Sequence, residues 1–189
     1  MFRQIGTLLL RLIGWRVTYN LPPCDKYILV GAPHTSNWDF PLSLLAIWTT
    51  GLSFNWVGKH TLFKGVFGPL MRTLGGIPVD RSSGSGLVRY VLKLFRENEK
   101  LVLAIAPEGT RSYTENWQPG FYQIAVAAGV PIALGYIDYP RKRIGFEKLF
   151  VPSGDIDADF VVLEEYYRDK VGKRPDNQGP VQVKDARRR

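Results

Sequence analysis

The sequence predicts an α/β fold: a single domain with a mainly parallel, mixed sheet flanked by helices and preceded by an N-terminal amphipathic helix. Three observations predict it. Short apolar runs at 27–30, 54–57, 101–106 and 132–137 alternate with stretches of helical periodicity, the pattern of parallel strands joined by helical crossovers. The runs are continuously apolar and rich in β-branched residues, as buried strands are. The 189 residues show no internal repeat and no linker-like change of composition, which suits one domain.

Taken in order, residues 1–14 place Phe2, Ile5, Leu9, Leu12 and Ile13 on one helical face, with Arg3 and Arg11 as the only charges. No small-residue cleavage site follows, so a secretory signal is not expected. An interfacial helix lying on a membrane is the preferred reading, and a helix packed on the domain is the alternative. Residues 15–19 alternate like an edge strand, ended by Leu21-Pro22-Pro23. A buried strand at 27–30 leads through Ala32-Pro33-His34-Thr35-Ser36-Asn37-Trp38 into an apolar helix that starts at Asp39. The strand at 54–57 delivers Lys59 and His60, and a short helix at 66–74 closes at Gly75-Gly76. Pro78 limits 77–79 to an edge strand or an irregular extended piece.

A polar loop at 82–86 opens an amphipathic helix with Leu87, Val88, Val91, Leu92 and Phe95 inward. The strand at 101–106 ends in Pro107-Glu108-Gly109-Thr110-Arg111-Ser112, followed by a helix at 121–128 and a strand at 132–137. Arg141-Lys142-Arg143 is a basic turn, and 144–151 is one more strand. Asp155 caps a last helix to about residue 170, with Ile156, Phe160, Leu163 and Tyr167 on one face. From 172 onward the composition suggests a mobile basic tail. The expected organisation is therefore 1–14 as an interfacial helix, 15–171 as the domain and 172–189 as the tail.

Composition narrows the function. Cys24 is the only cysteine and His34 and His60 the only histidines, so neither an internal disulfide nor a cysteine- or histidine-rich metal centre can form. The net charge of +8 fits nucleic acid, an anionic membrane surface or a phosphorylated substrate. No nucleic-acid-binding motif of the usual kinds is present, which leaves the other two. The 13% aromatic content, with five tryptophans, points the same way, because amphipathic rings gather where one side is apolar and the other wet. No run reaches the ~20 apolar residues of a spanning helix.

His34 sits at the carboxyl end of one strand, the crevice where α/β sheets usually handle ligands. The four residues between His34 and Asp39 suffice to bring the carboxylate back to the imidazole. An aspartate on one ring nitrogen fixes the tautomer and leaves the other nitrogen to accept a proton. The plainer alternative is a helix start capped by Thr35, Ser36 or Asn37, with His34 there by chance.

A second block weighs against chance. His34 to Asp39 and Glu108 to Ser112 together resemble the glycerolipid acyltransferase family that includes the 1-acylglycerol-3-phosphate acyltransferases. Gly76-Ile77-Pro78-Val79-Asp80-Arg81 is similar to that family's middle motif and Val130-Pro131-Ile132 to the start of its last, in the right order. Lys59, followed by Leu62-Phe63, matches a feature between the first two. The chain departs at Pro119, where the family commonly has lysine, and at Leu134, where it has a second proline. Both departures fall in the half expected to shape acceptor binding.

The resemblance implies transfer of a fatty acyl group from acyl-CoA or an acyl-carrier protein to a lysophospholipid hydroxyl, most simply that of 1-acylglycerol-3-phosphate. It implies His34 as general base with Asp39 as its orienting partner. Glu108, Gly109, Thr110, Arg111, Arg81 and Lys59 become the substrate-binding set: the cations for a phosphate, Glu108 for an acceptor hydroxyl or to hold Arg111. No metal and no cofactor beyond the acyl donor is expected, and His60 is read as a polar loop residue. The expected partners are membrane lipid, the acyl thioester, possible carrier protein and an anionic membrane surface, with a peripheral position on the cytoplasmic face. A different lysolipid acceptor, a catalytically silent lipid-binding protein and a His-Asp hydrolase are the competing readings.

Overall fold

The computed structural model of the chain describes residues 2–79 and 84–184. The elements in chain order are α1 (Phe2–Leu12), β1 (Arg16–Tyr19), β2 (Lys26–Ala32), α2 (Asp39–Thr50), β3 (Asn55–Lys59), α3 (Gly68–Thr73), β4 (Gly76–Val79), α4 (Gly84–Glu97), β5 (Leu101–Ile105), α5 (Gly120–Ala128), β6 (Ile132–Asp138), β7 (Arg143–Phe150) and α6 (Ile156–Tyr167). One seven-stranded sheet runs in the order β1-β7-β6-β2-β5-β3-β4. Its neighbours are parallel throughout, except that β6 and β7 form an antiparallel hairpin across the basic turn.

Central strands must be apolar on both faces, and β2 meets that demand. Ile28 and Val30 face α4, α5 and α6, packing with Val91, Phe121, Ile124 and Leu163. Tyr27 and Leu29 face α1 and α2, packing with Leu10, Leu42, Ala46 and Ile47. The molecule is thus three layers, helix on sheet on helix. Pro78 lies in β4, an edge strand paired only to β3, where its missing N–H costs no ladder bond. Asp155 caps α6 by accepting from the Asp157 and Ala158 N–H groups, and Phe160, Leu163 and Tyr167 turn inward.

Both ends of the chain qualify the sequence reading. Helix α1 packs on α2 through Gly6 and Leu10; a Cβ at residue 6 would stand 2.7 Å from the Leu45 carbonyl oxygen, so only glycine lets the two helices approach this closely. The apolar face read from the sequence lies elsewhere on α1 and is largely exposed, Leu12 by 72%, and Leu8 beside it is exposed as well. The segment expected to be a mobile tail from 172 is instead laid along the domain as far as 184. Its backbone is tied down: Trp117 N–H donates to the Gln182 carbonyl at 2.7 Å, and Val181 and Val183 pack against the main core. Composition misreads this stretch because its order comes from hydrogen bonds to distant loops and from two isolated valines set on the core, neither of which makes a periodic pattern.

Candidate active site

The carboxyl ends of β2, β3, β5 and β6 point the same way, because these strands are mutually parallel. His34 follows β2, Lys59 ends β3, Glu108 follows β5 and Tyr139 follows β6. His34 and Lys59 line a cavity of about 450 Å³, while Glu108 and Tyr139 stand behind it, bonded to the His34 backbone and to Asp39. Its walls are mostly apolar: Leu29, Ala104, Ile137 and Phe146 from the sheet, Phe40, Leu44 and Ile47 from α2, and Phe54, Trp56 and Leu62 from around β3. The polar lining consists chiefly of His34, Asp39, Lys59, Thr110 and Arg111.

His34 Nδ1 lies 3.1 Å from Asp39 Oδ2, and the two side chains are 19% and 4% exposed. Asp39 opens α2, where the positive end of the helix dipole favours a carboxylate. The cap residue is Trp38, without a side-chain cap bond. Asp39 works backwards instead, its Oδ2 accepting the Thr35 N–H at 2.9 Å and the Ser36 N–H at 2.8 Å. Its Oδ1 accepts the Tyr139 hydroxyl at 2.7 Å. Both oxygens of this buried carboxylate are therefore engaged, as burial of a charge requires. Engagement of Nδ1 leaves Nε2 as the ring nitrogen able to take a proton.

Glu108 is buried, and its Oε1 accepts the His34 backbone N–H at 2.8 Å. It does not hold Arg111, one of the two roles expected of it; it joins the two motif loops across neighbouring strands. Its Oε2 is buried and has no hydrogen-bond partner. Burial pushes the Glu108 carboxyl up to about 7, partly offset by the backbone N–H donors that include His34. Gly109 has φ 69°, a left-handed conformation that glycine adopts without strain. It lets the chain turn so that Thr110 and Arg111 also line the cavity. Thr110 Oγ1 accepts the Ser112 N–H, and the Arg111 carbonyl accepts Asn177 Nδ2–H at 3.0 Å. Arg111 and Lys59 are exposed at this rim. Arg81 lies outside the described residues. His60 starts a short 3₁₀ turn, exposed and off the cavity lining.

Sequence reasoning missed Tyr139 and the segment that follows α6. A tyrosine just past a strand carries no motif, and the only available signal was its position at a strand's carboxyl end. Among the described residues no group of histidine, cysteine, aspartate and glutamate could hold a metal ion. No helix there is long and apolar enough to cross a membrane.

Comparison with known proteins bears on the family and the fold. A family model described as Acyltransferase matches residues 16–134, which span β1 to the middle of β6 and include His34, Asp39 and Glu108. No curated relative matches the chain. Among solved structures, the chain is similar to the crystal structure of the 1-acyl-sn-glycerophosphate (LPA) acyltransferase PlsC from Thermotoga maritima. The TM-score is 0.63 at 18% identity, over 91% of this chain and 80% of that one. At that identity the likeness is one of fold. The match of the family model to well over half of the sequence carries the conclusion: this chain belongs to the acyltransferase family.

Proposed function

We propose that the protein moves a fatty acyl group from a thioester, acyl-CoA or an acyl-carrier protein, to a hydroxyl of a lysophospholipid, 1-acylglycerol-3-phosphate before others. The observation that carries this reading is the His34–Asp39 contact on an apolar cavity. His34 Nε2 takes the acceptor's hydroxyl proton while that oxygen bonds to the thioester carbonyl carbon, a role worth about 10²–10⁴-fold. Asp39 stabilises the imidazolium in the interval. The tetrahedral intermediate then collapses, the C–S bond breaks, and the proton passes from Nε2 to the departing thiolate. A thiolate leaves readily, so the sequence of steps requires no covalent acyl-enzyme, metal or further cofactor.

The apolar wall suits the acyl chain, each buried methylene contributing about 0.8 kcal/mol. At the rim, Arg111 offers a forked donor and Lys59 a point charge for the acceptor's phosphate, and the sequence resemblance adds Arg81. The exposed apolar face of α1, with Arg3 and Arg11 as its only charges, supports a peripheral position on an anionic membrane, at its cytoplasmic face.

The test is a screen of lysolipid acceptors against acyl-CoA and acyl-carrier-protein donors, with wild type and His34→Ala. The expected result is an ester product from a phosphate-bearing acceptor, lost in a His34→Ala protein whose melting temperature is retained. Substantial transfer by folded His34→Ala would end the mechanism, and free fatty acid in place of ester would indicate a hydrolase. For the membrane, Leu8→Glu with Leu12→Glu should reduce sedimentation with anionic liposomes by about tenfold or more, given ~1.5–3 kcal/mol per buried leucine. Unchanged sedimentation would refute docking through this face.

A further inference from the structure

We propose that Tyr139 is a positioning residue for the His34–Asp39 pair, and that the C-terminal segment from Val171 locks it in place. The inference rests on the general-base reading above and adds to it a part that lies beyond the stretch matched by the family model. Tyr139 is at the carboxyl end of β6 and 100 residues from Asp39 in sequence, yet its hydroxyl donates to Asp39 Oδ1 at 2.7 Å. Oδ2 is occupied on the other side by the Thr35 and Ser36 N–H groups as well as by His34. Without the Tyr139 bond the carboxylate could turn about its Cβ–Cγ axis, and the imidazole would lose its fixed partner. Burial, reinforced by the bond to Asp39, holds the Tyr139 phenol far above its ordinary range, so the group stays a donor at any working pH.

Tyr139 is itself held on several sides. Its ring stands edge-on to Trp15 at 5.0 Å between centroids. Its N–H donates to the Val171 carbonyl at 3.0 Å, and Lys173 Nζ sits 5.5 Å above the ring. The same segment reaches the His34 loop directly, where the Arg174 N–H donates to Thr35 Oγ at 3.1 Å. Gly172 makes that approach possible, since a Cβ there would meet Thr35 Oγ at 2.6 Å. One short stretch of chain therefore braces both Tyr139 and the loop whose N–H groups Tyr139's partner accepts. Aligning a general base is worth its rate only while the geometry holds.

The experiment compares wild type, His34→Ala, Tyr139→Phe and a protein with p-aminophenylalanine at 139, each by turnover and by NMR of ¹⁵N-histidine. The chain has only two histidines, so the His34 imidazole is read against His60 as an internal control. In Tyr139→Phe, kcat should fall about tenfold, the scale of one hydrogen bond to a charged group, with KM within twofold. The neutral His34 ring should shift from the Nδ1–H form towards a mixture of tautomers, while His60 is unchanged. The p-amino side chain keeps the ring and a donor, and should restore both readouts to within about threefold of wild type. Unchanged kcat and tautomer in folded Tyr139→Phe would overturn the inference, and so would a fall in kcat without a tautomer change. If instead His34→Ala keeps transferring, the general-base reading fails first, and that outcome is distinct from either.

Discussion

Two buried carboxylates bond the loop that carries His34, Asp39 from the next helix and Glu108 from the end of the neighbouring strand, and they are satisfied in opposite ways. Asp39 has a donor on each oxygen, four in all counting the imidazole. Glu108 has one oxygen on the His34 N–H and the other buried without a partner. Equal burial thus yields two kinds of group. A carboxylate with every acceptor filled is a fixed part of the scaffold. One with an acceptor left open in a dry site is costly as an anion, and a ligand donor brought to it relieves that cost. The difference makes Asp39 a fixed part of the His34 loop and leaves Glu108 with one oxygen unsatisfied.

The strongest way to break this comparison is Asp39→Asn. An amide has one acceptor oxygen where the loop needs two, so the tautomer of His34 is no longer specified. Turnover should fall about 10³–10⁴-fold, by analogy with removing the carboxylate of a serine-protease triad. A loss below tenfold, in protein that folds, would mean Asp39 is a capping residue and nothing more.

Glu108→Gln sharpens the other side. Glutamine keeps an oxygen for the His34 N–H, so the loops stay joined, but its second group donates where the carboxylate accepts. If the open oxygen meets an acceptor hydroxyl, kcat/KM for the acceptor should fall roughly 10–100-fold, the range of a hydrogen bond to a charged group. The KM for the thioester should hardly move. Equal losses for both substrates would place Glu108 among the structural residues with Asp39.

Arg111→Lys asks whether the phosphate assignment belongs to this same loop. Lysine keeps the charge and loses the fork, so use of a phosphate-bearing acceptor should weaken by about 1–3 kcal/mol. An uncharged acceptor such as a monoacylglycerol should suffer much less. Comparable losses in kcat/KM for the two would remove the phosphate from Arg111.

The smallest effect is thermodynamic. Glu108's folded-state pKa of about 7 lies above its ordinary value, so the fold favours the protonated form. Its contribution to stability is full below about pH 4.5 and is lost as pH rises through about 7. Glu108→Gln cannot ionise and should match wild type at pH 4.5, then exceed it by about 1–3 kcal/mol at pH 9. Melting curves at the two values check this. A difference that is independent of pH would mean the carboxyl is not held neutral by burial.

Local chemistry was legible in the sequence. The alternation of elements, the cap at Asp155, the inward faces of α4 and α6 and the nearness of His34 to Asp39 all depend on residues within a few turns of one another. Periodicity and capping act over that range, so the chain states them directly. Tertiary structure alone decided what meets across the sheet. Glu108 reaches His34 because β5 pairs with β2, and Tyr139 reaches Asp39 because β6 lies on the other side of β2. Neither adjacency follows from strand order along the chain. The same holds at the ends: α1 was amphipathic on inspection, but Gly6 and Leu10 chose the stripe that packs. Residues 172–184 resembled a loose tail because their partners are the Thr35, Arg111 and Trp117 loops. A polar segment has no pattern of its own to announce such contacts, since its order is supplied by hydrogen-bonding groups that come together only once the sheet has formed.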